Sequence, residues 1–184
     1  MNLDAASGQI HAELIDLCRQ GDREAHYEVY KLYSKSMYNI GYRIVNNQEE
    51  AEDVLQEAFI SAFRSLNLYR GEASFGSWLK RIVINKAINV LKTRKMERLS
   101  EDENFDVEEE IAVDPEEFSY SIQEVKRAIE SLPDGYRSVL SLYLLEGYDH
   151  SEIAEIMGIS ESTSKSQFNR SKKKLREILE GGKL

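Results

Sequence analysis

The sequence predicts an all-α protein: two small helical domains joined by an acidic flexible linker, the C-terminal one containing a helix-turn-helix. Three observations carry that expectation. Apolar residues recur in steps of three and four along most of the chain, and no stretch alternates as a strand would. Residues 99–118 interrupt the periodicity, and positions 101–118 hold ten acids and no base. The run from Asp149 to Ser160 reads as a helix, a tight turn and the opening of a second helix. The 184 residues suffice for one large or two small domains. They divide into an N-terminal helix within 1–21, a helical domain at 22–98, the linker at 99–118 and the helix-turn-helix domain at 119–180.

Taken in order, Ile10 to Arg19 reads as a short helix with Ile10, Leu14, Leu17 and Cys18 on one side. Gly21 ends it and Asp22 can cap the next. Residues 22–45 form a long helix rich in tyrosine (Tyr27, Tyr30, Tyr33, Tyr38 and Tyr42), which with Val29, Met37, Ile40 and Ile44 reads as core and rim packing. Asn46-Asn47 breaks it, and Asn47 with Glu50 resembles a capping box. Residues 48–66 carry the clearest amphipathic stripe: Ala51, Val54, Leu55, Ala58, Phe59, Ala62, Phe63 and Leu66. The outer side is unusual. Glu49, Asp53 and Glu57 fall at successive i,i+4 positions with Gln56 beside them, and like charges at that spacing oppose the helix. Either this is a solvated acidic face or it docks a basic partner.

The segment Asn67 to Ser77 reads as a loop holding Tyr69, Phe75 and two glycines. Its aromatics either stack on unpaired bases or pin the loop to the core. Residues 77–98 form the next helix. Leu79, Ile82, Val83, Ile84, Ala87, Ile88 and Leu91 make its apolar face, while Arg81, Asn85, Asn89 and Lys92 form a separate polar lane. Asparagine pairs with base edges, and arginine or lysine with phosphate or guanine. Trp78 reads as a core anchor.

In the second domain, Ile122, Val125, Ile129 and Leu132 repeat at helical spacing, and Pro133-Asp134-Gly135 reads as a turn. Val139, Leu140, Tyr143 and Leu144 give the next apolar face, ended by Gly147. In the helix-turn-helix, Ile153, Ile156 and Met157 face inward, Gly158 supplies the left-handed residue, Ile159 plugs the corner and Ser160 caps the second helix. That helix has a packing lane (Ser164, Phe168, Ser171, Leu175) and a polar lane (Thr163, Ser166, Arg170, Lys173). Six bases and no acid lie between Glu161 and Glu177. A small helix-turn-helix with a cationic second helix suits the DNA major groove.

A net charge of −9 looks wrong for a DNA binder, but taking the ten negative charges of 101–118 out of it leaves +1 for the rest of the chain. A second cluster of six bases lies between Glu72 and Glu97, so two basic patches flank an acidic spacer. The single Cys18 excludes an internal disulfide and agrees with a reducing cytoplasm. No run is apolar enough to span a bilayer, which speaks against direct membrane insertion, and Met1 to Gln9 has no signal-peptide character. The three histidines, His11, His26 and His150, belong to no metal motif, and no Walker loop or dinucleotide fingerprint occurs. No metal, no cofactor and no enzymatic activity are expected.

Three runs, in this order, resemble a known family: Ala51-Glu52-Asp53-Val54-Leu55-Gln56-Glu57-Ala58-Phe59; Tyr69-Arg70-Gly71 through Phe75 to Trp78-Leu79 and Ile82-Val83-Ile84-Asn85; and Glu152-Ile153-Ala154-Glu155-Ile156-Met157-Gly158-Ile159-Ser160. From about Asp22 to Leu179 the chain resembles a bacterial sigma factor of the sigma-70 family, in the small extracytoplasmic-function group. The resemblance implies a protein that binds core RNA polymerase, directs it to specific promoters, assists opening and is later released. By it, Asp53, Gln56 and Glu57 match the polymerase-contacting motif. Tyr69, Phe75, Arg81, Asn85, Asn89 and Lys92 match the part that captures the melted minus-10 element, where pocket contacts offset the cost of unstacking a flipped base. Ser162, Thr163, Lys165, Ser166, Arg170 and Lys173 would contact the minus-35 element in double-stranded form. An anti-sigma factor is implied by the group. Family members often have valine at the position of Ser164, arginine at Gln167 and alanine at Ser171; the two serines weaken the packing lane and leave more of it to Phe168. The rival readings are an autonomous DNA-binding regulator, which leaves the second basic helix and the acidic lane unexplained, and a polymerase adaptor, which ignores both basic patches.

Overall fold

The computed structural model describes residues 12–98 and 120–181. The linker expected at 99–118 and the start of the first helix at Ile10 lie outside the described residues. The described chain is helical with short turns: α1 (residues 12–19), α2 (Arg23–Val45), α3 (Gln48–Arg64), a 3-10 turn at Leu66–Leu68, α4 (Phe75–Arg98), α5 (Ile122–Glu130), α6 (Asp134–Leu144), α7 (His150–Met157) and α8 (Glu161–Gly181). Among the described residues it forms two compact units, one from residues 12–42 and 47–87 and the other from 43–46, 88–98 and 120–181.

In the first unit, α3 buries the expected stripe. Ala51, Val54, Leu55, Ala58, Phe59 and Ala62 are buried along the helix and Leu66 in the turn that follows. Phe63 is half-buried with its ring on the edge of His26, centroids 4.5 Å apart. Asn47 caps α3 by accepting from the Glu50 N–H at 3.0 Å. From α2, Ala25, Val29, Met37 and Ile40 are also buried, as are Phe75, Leu79, Val83, Ile84 and Ala87 from α4. Gly41 marks a close approach. A β-carbon there would stand 3.4 Å from a Val54 methyl and 3.7 Å from a Val83 methyl, so the small residue lets three helices converge.

One correction concerns α1. Leu17, expected inward, is 44% exposed, and Ile15 and Cys18 are the buried pair. At about 100° per residue, 17 falls about 130° from the centre of the face formed by 15 and 18, so it lies on the outer side. Burial pushes the Cys18 thiol above its ordinary value, with a smaller push from Asp22.

In the second unit, Ser121 and Glu124 close a capping box at the start of α5, and Asp149 and Glu152 close another at α7. Ala128 and Leu132 are buried, whereas Ile122, read as part of the apolar face, is 85% exposed because it is the first helical residue. Asp134 and Gly135, read as a turn, are the first residues of α6, with Pro133 before them; proline fixes the backbone that starts a helix. Ser138, Val139, Leu140, Ser141 and Leu142 are buried, so α6 is enclosed on all sides over that turn, and Tyr143 and Leu144 are exposed because they lie at its C-terminal end. Arg137 is also buried there, donating to the Leu132 carbonyl at 2.7 Å and to Asp134 at 2.6 Å. Helix α8 packs on α5, α6 and α7.

The Asp149 cap makes a testable contribution. Its carboxylate accepts from the Glu152 N–H at 2.9 Å and the Ser151 hydroxyl at 2.7 Å, and these bonds hold its pKa below the ordinary value, the backbone bond most of all. A depressed carboxylate pKa stabilises the fold fully above the unfolded-state value, and that contribution is lost as pH falls through the folded-state value. Asp149→Ala is therefore expected to lower the thermal midpoint at neutral pH, with the gap to wild type closing under acid; Asp149→Asn, which still accepts the bond, should lower it less. Thermal melts monitored by helix signal across that pH range check this.

Candidate nucleic-acid interface

Three polar lanes lie on helices whose opposite faces are buried. On α3, Asp53, Gln56 and Glu57 are all exposed. Glu57 carries an ion pair across to Lys86 of α4 at 3.1 Å, a partner its own helix pattern gave no means to anticipate. The lane is thus an acidic strip facing solvent on the outer side of α3.

On α4, Arg81, Asn85, Asn89 and Lys92 are exposed, while Leu79, Val83, Ile84, Ala87 and Ile88 are buried. The loop before it is more structured than expected. Ser74 caps α4, accepting from the Ser77 N–H at 3.1 Å, and the helix opens at Phe75 rather than at residue 77. Phe75 is only 4% exposed. Its ring packs against Tyr33, Tyr69 and Trp78, with centroids 5.4, 5.6 and 5.6 Å away. Of the two readings of the loop aromatics, the pin describes Phe75. Tyr69 is half-buried, its hydroxyl donates to the Ala73 carbonyl at 2.8 Å, and Arg19 donates to its backbone oxygen at 2.6 Å. Tyr33, beneath them, has its phenol pKa raised by burial and then by Tyr69. The loop is thus a preformed aromatic corner, with Gly71 at φ 77° making its tight bend.

The helix-turn-helix has the expected turn. Gly158 is left-handed at φ 71°, and its N–H and that of Ile159 both donate to the Ala154 carbonyl. Ser160 caps α8, accepting from the Thr163 N–H at 3.0 Å. Ser162, Lys165 and Lys173 are exposed, and Thr163, Ser166 and Arg170 are half-buried. Lys165 pairs with Glu161 at 2.7 Å, and that bond raises its ammonium pKa. The Ser162 and Thr163 hydroxyls share hydrogen bonds with Ser160, and the Ser166 hydroxyl donates to the Thr163 carbonyl. Opposite this lane, Ser164 and Ser171 are fully buried and Phe168 packs on Tyr143 with centroids 4.5 Å apart. Sequence reasoning passed over His150, whose Nδ1 lies 3.0 Å from the Ser164 hydroxyl oxygen. No group of side chains suited to a metal ion occurs among the described residues, and none of their helices is long and apolar enough to cross a membrane.

An all-α chain with a helix-turn-helix, a second exposed basic lane and an acidic outer face defines a DNA-binding protein built to engage a further macromolecule. Comparison with known proteins identifies which kind. Residues 29–96 match the family Sigma-70 region 2, and residues 122–175 match Sigma-70, region 4. The ECF RNA polymerase sigma factor SigW of Bacillus subtilis is 30% identical, with 88% of this chain and 92% of that one covered. The ECF RNA polymerase sigma-E factor of Haemophilus influenzae is 33% identical, with 91% and 92% covered. Among solved structures, the sigma factor RpoE of Bartonella quintana, in complex with the anti-sigma factor NepR, matches at TM-score 0.56 and 22% identity over 84% of this chain and 96% of that one. CnrH, in complex with the cytosolic domain of CnrY, matches at TM-score 0.54 and 20% identity over 91% and 96%; at these identities the likeness concerns the fold.

The chain belongs to the sigma-70 family of RNA polymerase sigma factors, in its ECF group. It directs RNA polymerase to promoters for transcription initiation, with core RNA polymerase and promoter DNA as its partners, and it is not an enzyme.

Proposed function

We propose that the three lanes divide this work. Asp53, Gln56 and Glu57 on α3 dock on a basic surface of core polymerase. Tyr69 with Arg81, Asn85, Asn89 and Lys92 takes up the unpaired minus-10 strand, Phe75 holding the Tyr69 corner from beneath. Ser162, Thr163, Lys165, Ser166, Arg170 and Lys173 on α8 meet the minus-35 duplex. The observation that carries this reading is the α4 lane: two asparagines and two bases exposed on one side of a helix whose other side is buried. The chemistry of that lane suits base edges and phosphates. Two weak readers joined through one polymerase act together by effective concentration, so neither lane has to bind tightly alone. An anti-sigma factor masking these lanes completes the proposal; the complexes of RpoE with NepR and of CnrH with CnrY support it. The cytoplasm is the compartment that fits.

The test separates the two DNA lanes with the reconstituted holoenzyme. Arg170→Ala should weaken binding to a minus-35 duplex about tenfold and leave capture of a single-stranded minus-10 oligonucleotide unchanged, and Asn85→Ala should do the reverse. If each variant weakens both probes equally, the division of labour is wrong.

A further inference from the structure

The buried polar atoms of the helix-turn-helix carry an inference beyond the family's three surfaces. Ser164 lies in the first turns of α8 and is fully buried. The position faces the helices on which α8 packs, where an apolar side chain would be the simpler choice. Its hydroxyl is held instead by His150, the first residue of α7, with Nδ1 3.0 Å from Oγ. The imidazole is itself clamped. It stacks on Tyr143 of α6 with centroids 4.6 Å apart and planes 20° from parallel, and meets the edge of Phe168 of α8 at 5.5 Å. One half-buried ring therefore touches α6 and α8 from the N-terminus of α7.

We infer that His150 is a positioning residue for DNA reading: by holding the Ser164 hydroxyl across the gap between α7 and α8, it fixes the angle at which α8 presents its polar lane. The reason lies in what a buried helical serine does without such a partner. Its hydroxyl turns back onto the carbonyl four residues earlier, here Ser160, and that bond bends the helix. The bend would fall in the first turns of α8, where Ser162, Thr163 and Lys165 stand. The lane would be displaced with no contact residue changed, and preorganised recognition is sensitive to such displacements. This inference rests on the reading of α8 as the minus-35 reader.

The experiment measures, with core saturated by the sigma factor and holoenzyme kept below saturation of the promoter, the ratio of run-off transcript from a promoter fragment with its own minus-35 element to that from the same fragment with the element scrambled. His150→Asn and His150→Leu both remove the ring and are of similar size; only asparagine can put an amide nitrogen near the place of Nδ1. His150→Asn is expected to keep the ratio within about threefold of wild type, and His150→Leu to lower it about tenfold, the range of coupling energies seen for residues in contact. Equal ratios for the two variants would overturn the inference, whether both fall or neither does. Helix signal and core binding are recorded for each. Should both lose their fold, Ser164→Ala removes the bond across the gap, leaves the three rings in place and has no hydroxyl to bend α8, so the smaller fall of about threefold is expected from the lost bond alone, and an unchanged ratio would overturn the inference equally. A wild-type holoenzyme that initiates on the fragment but ignores scrambling would instead remove α8 as the minus-35 reader, and the positioning role with it.

Discussion

Replacing both Asp53 and Glu57 by lysine is expected to lower affinity for core RNA polymerase by about two orders of magnitude while leaving the fold intact, since charge pairs across an interface are worth a few kcal/mol when both signs are reversed. The fold has little to lose. Both carboxylates are exposed on the outer side of α3, and carboxylates four apart on a helix repel each other by a few tenths of a kcal/mol. The one ion pair that is lost, Glu57 with Lys86, joins side chains 64% and 34% exposed, and surface pairs of that kind contribute about 0–1 kcal/mol. On the docking proposal, an acidic strip that does little for its own helix meets a cationic partner. Salt supplies the control: the gap between wild type and variant should narrow as ionic strength rises, because exposed charges are screened over about 10 Å at 0.1 M. Equilibrium titration of labelled core at two salt concentrations reads both effects. Unchanged core affinity in the double variant would remove α3 from the docking surface.

The same helix shows why parts of the molecule were legible in sequence and others were not. The α3 stripe could be read because period and burial coincide over about three turns, so Ala51 to Ala62 announce one face. The glycine turn and the caps at Asn47 and Ser160 were legible because each depends on a residue type that suits one backbone conformation. Reading failed where a helix is short or ends. Ile122 and Leu144 sit at helix termini, where the apolar face runs past the packed region, and Leu17 lies on the outer side of an eight-residue helix. It failed again where a polar group is buried because a distant partner satisfies it. Ser164 looked like a weak packing choice until His150, fourteen residues earlier, came to lie beside it. Phe75 was ambiguous for the opposite reason: a ring in a glycine-containing loop has the same sequence signature whether it pins the loop or meets a base. Only its contacts with Tyr33, Tyr69 and Trp78 separate the two.

Phe59→Ala is the counterpart on the inner face of α3 and is expected to act through stability alone. Phe59 is 3% exposed, and its ring packs on Tyr30 and Phe63 with centroids 4.8 and 5.7 Å away. Truncating a buried phenylalanine removes its transfer energy and leaves a cavity, costing about 3–5 kcal/mol. Against a typical domain stability of about 5–15 kcal/mol, that brings the first unit close to unfolding at physiological temperature. The urea midpoint should fall by about 2 M, given slopes of about 1–3 kcal/mol per molar for small proteins. Phe59→Leu, which keeps most of the volume, should cost less than half as much. Ile60→Ala is the internal control: its side chain is 50% exposed one residue further on, and it should shift stability by no more than about 0.5 kcal/mol. The signatures on the two faces are opposite. The lysine substitutions change core affinity at a constant unfolding midpoint, whereas Phe59→Ala lowers the midpoint and reduces core binding only in proportion to the chain that has unfolded. A Phe59→Ala protein that keeps its midpoint yet binds core poorly would place the docking surface on the wrong side of α3.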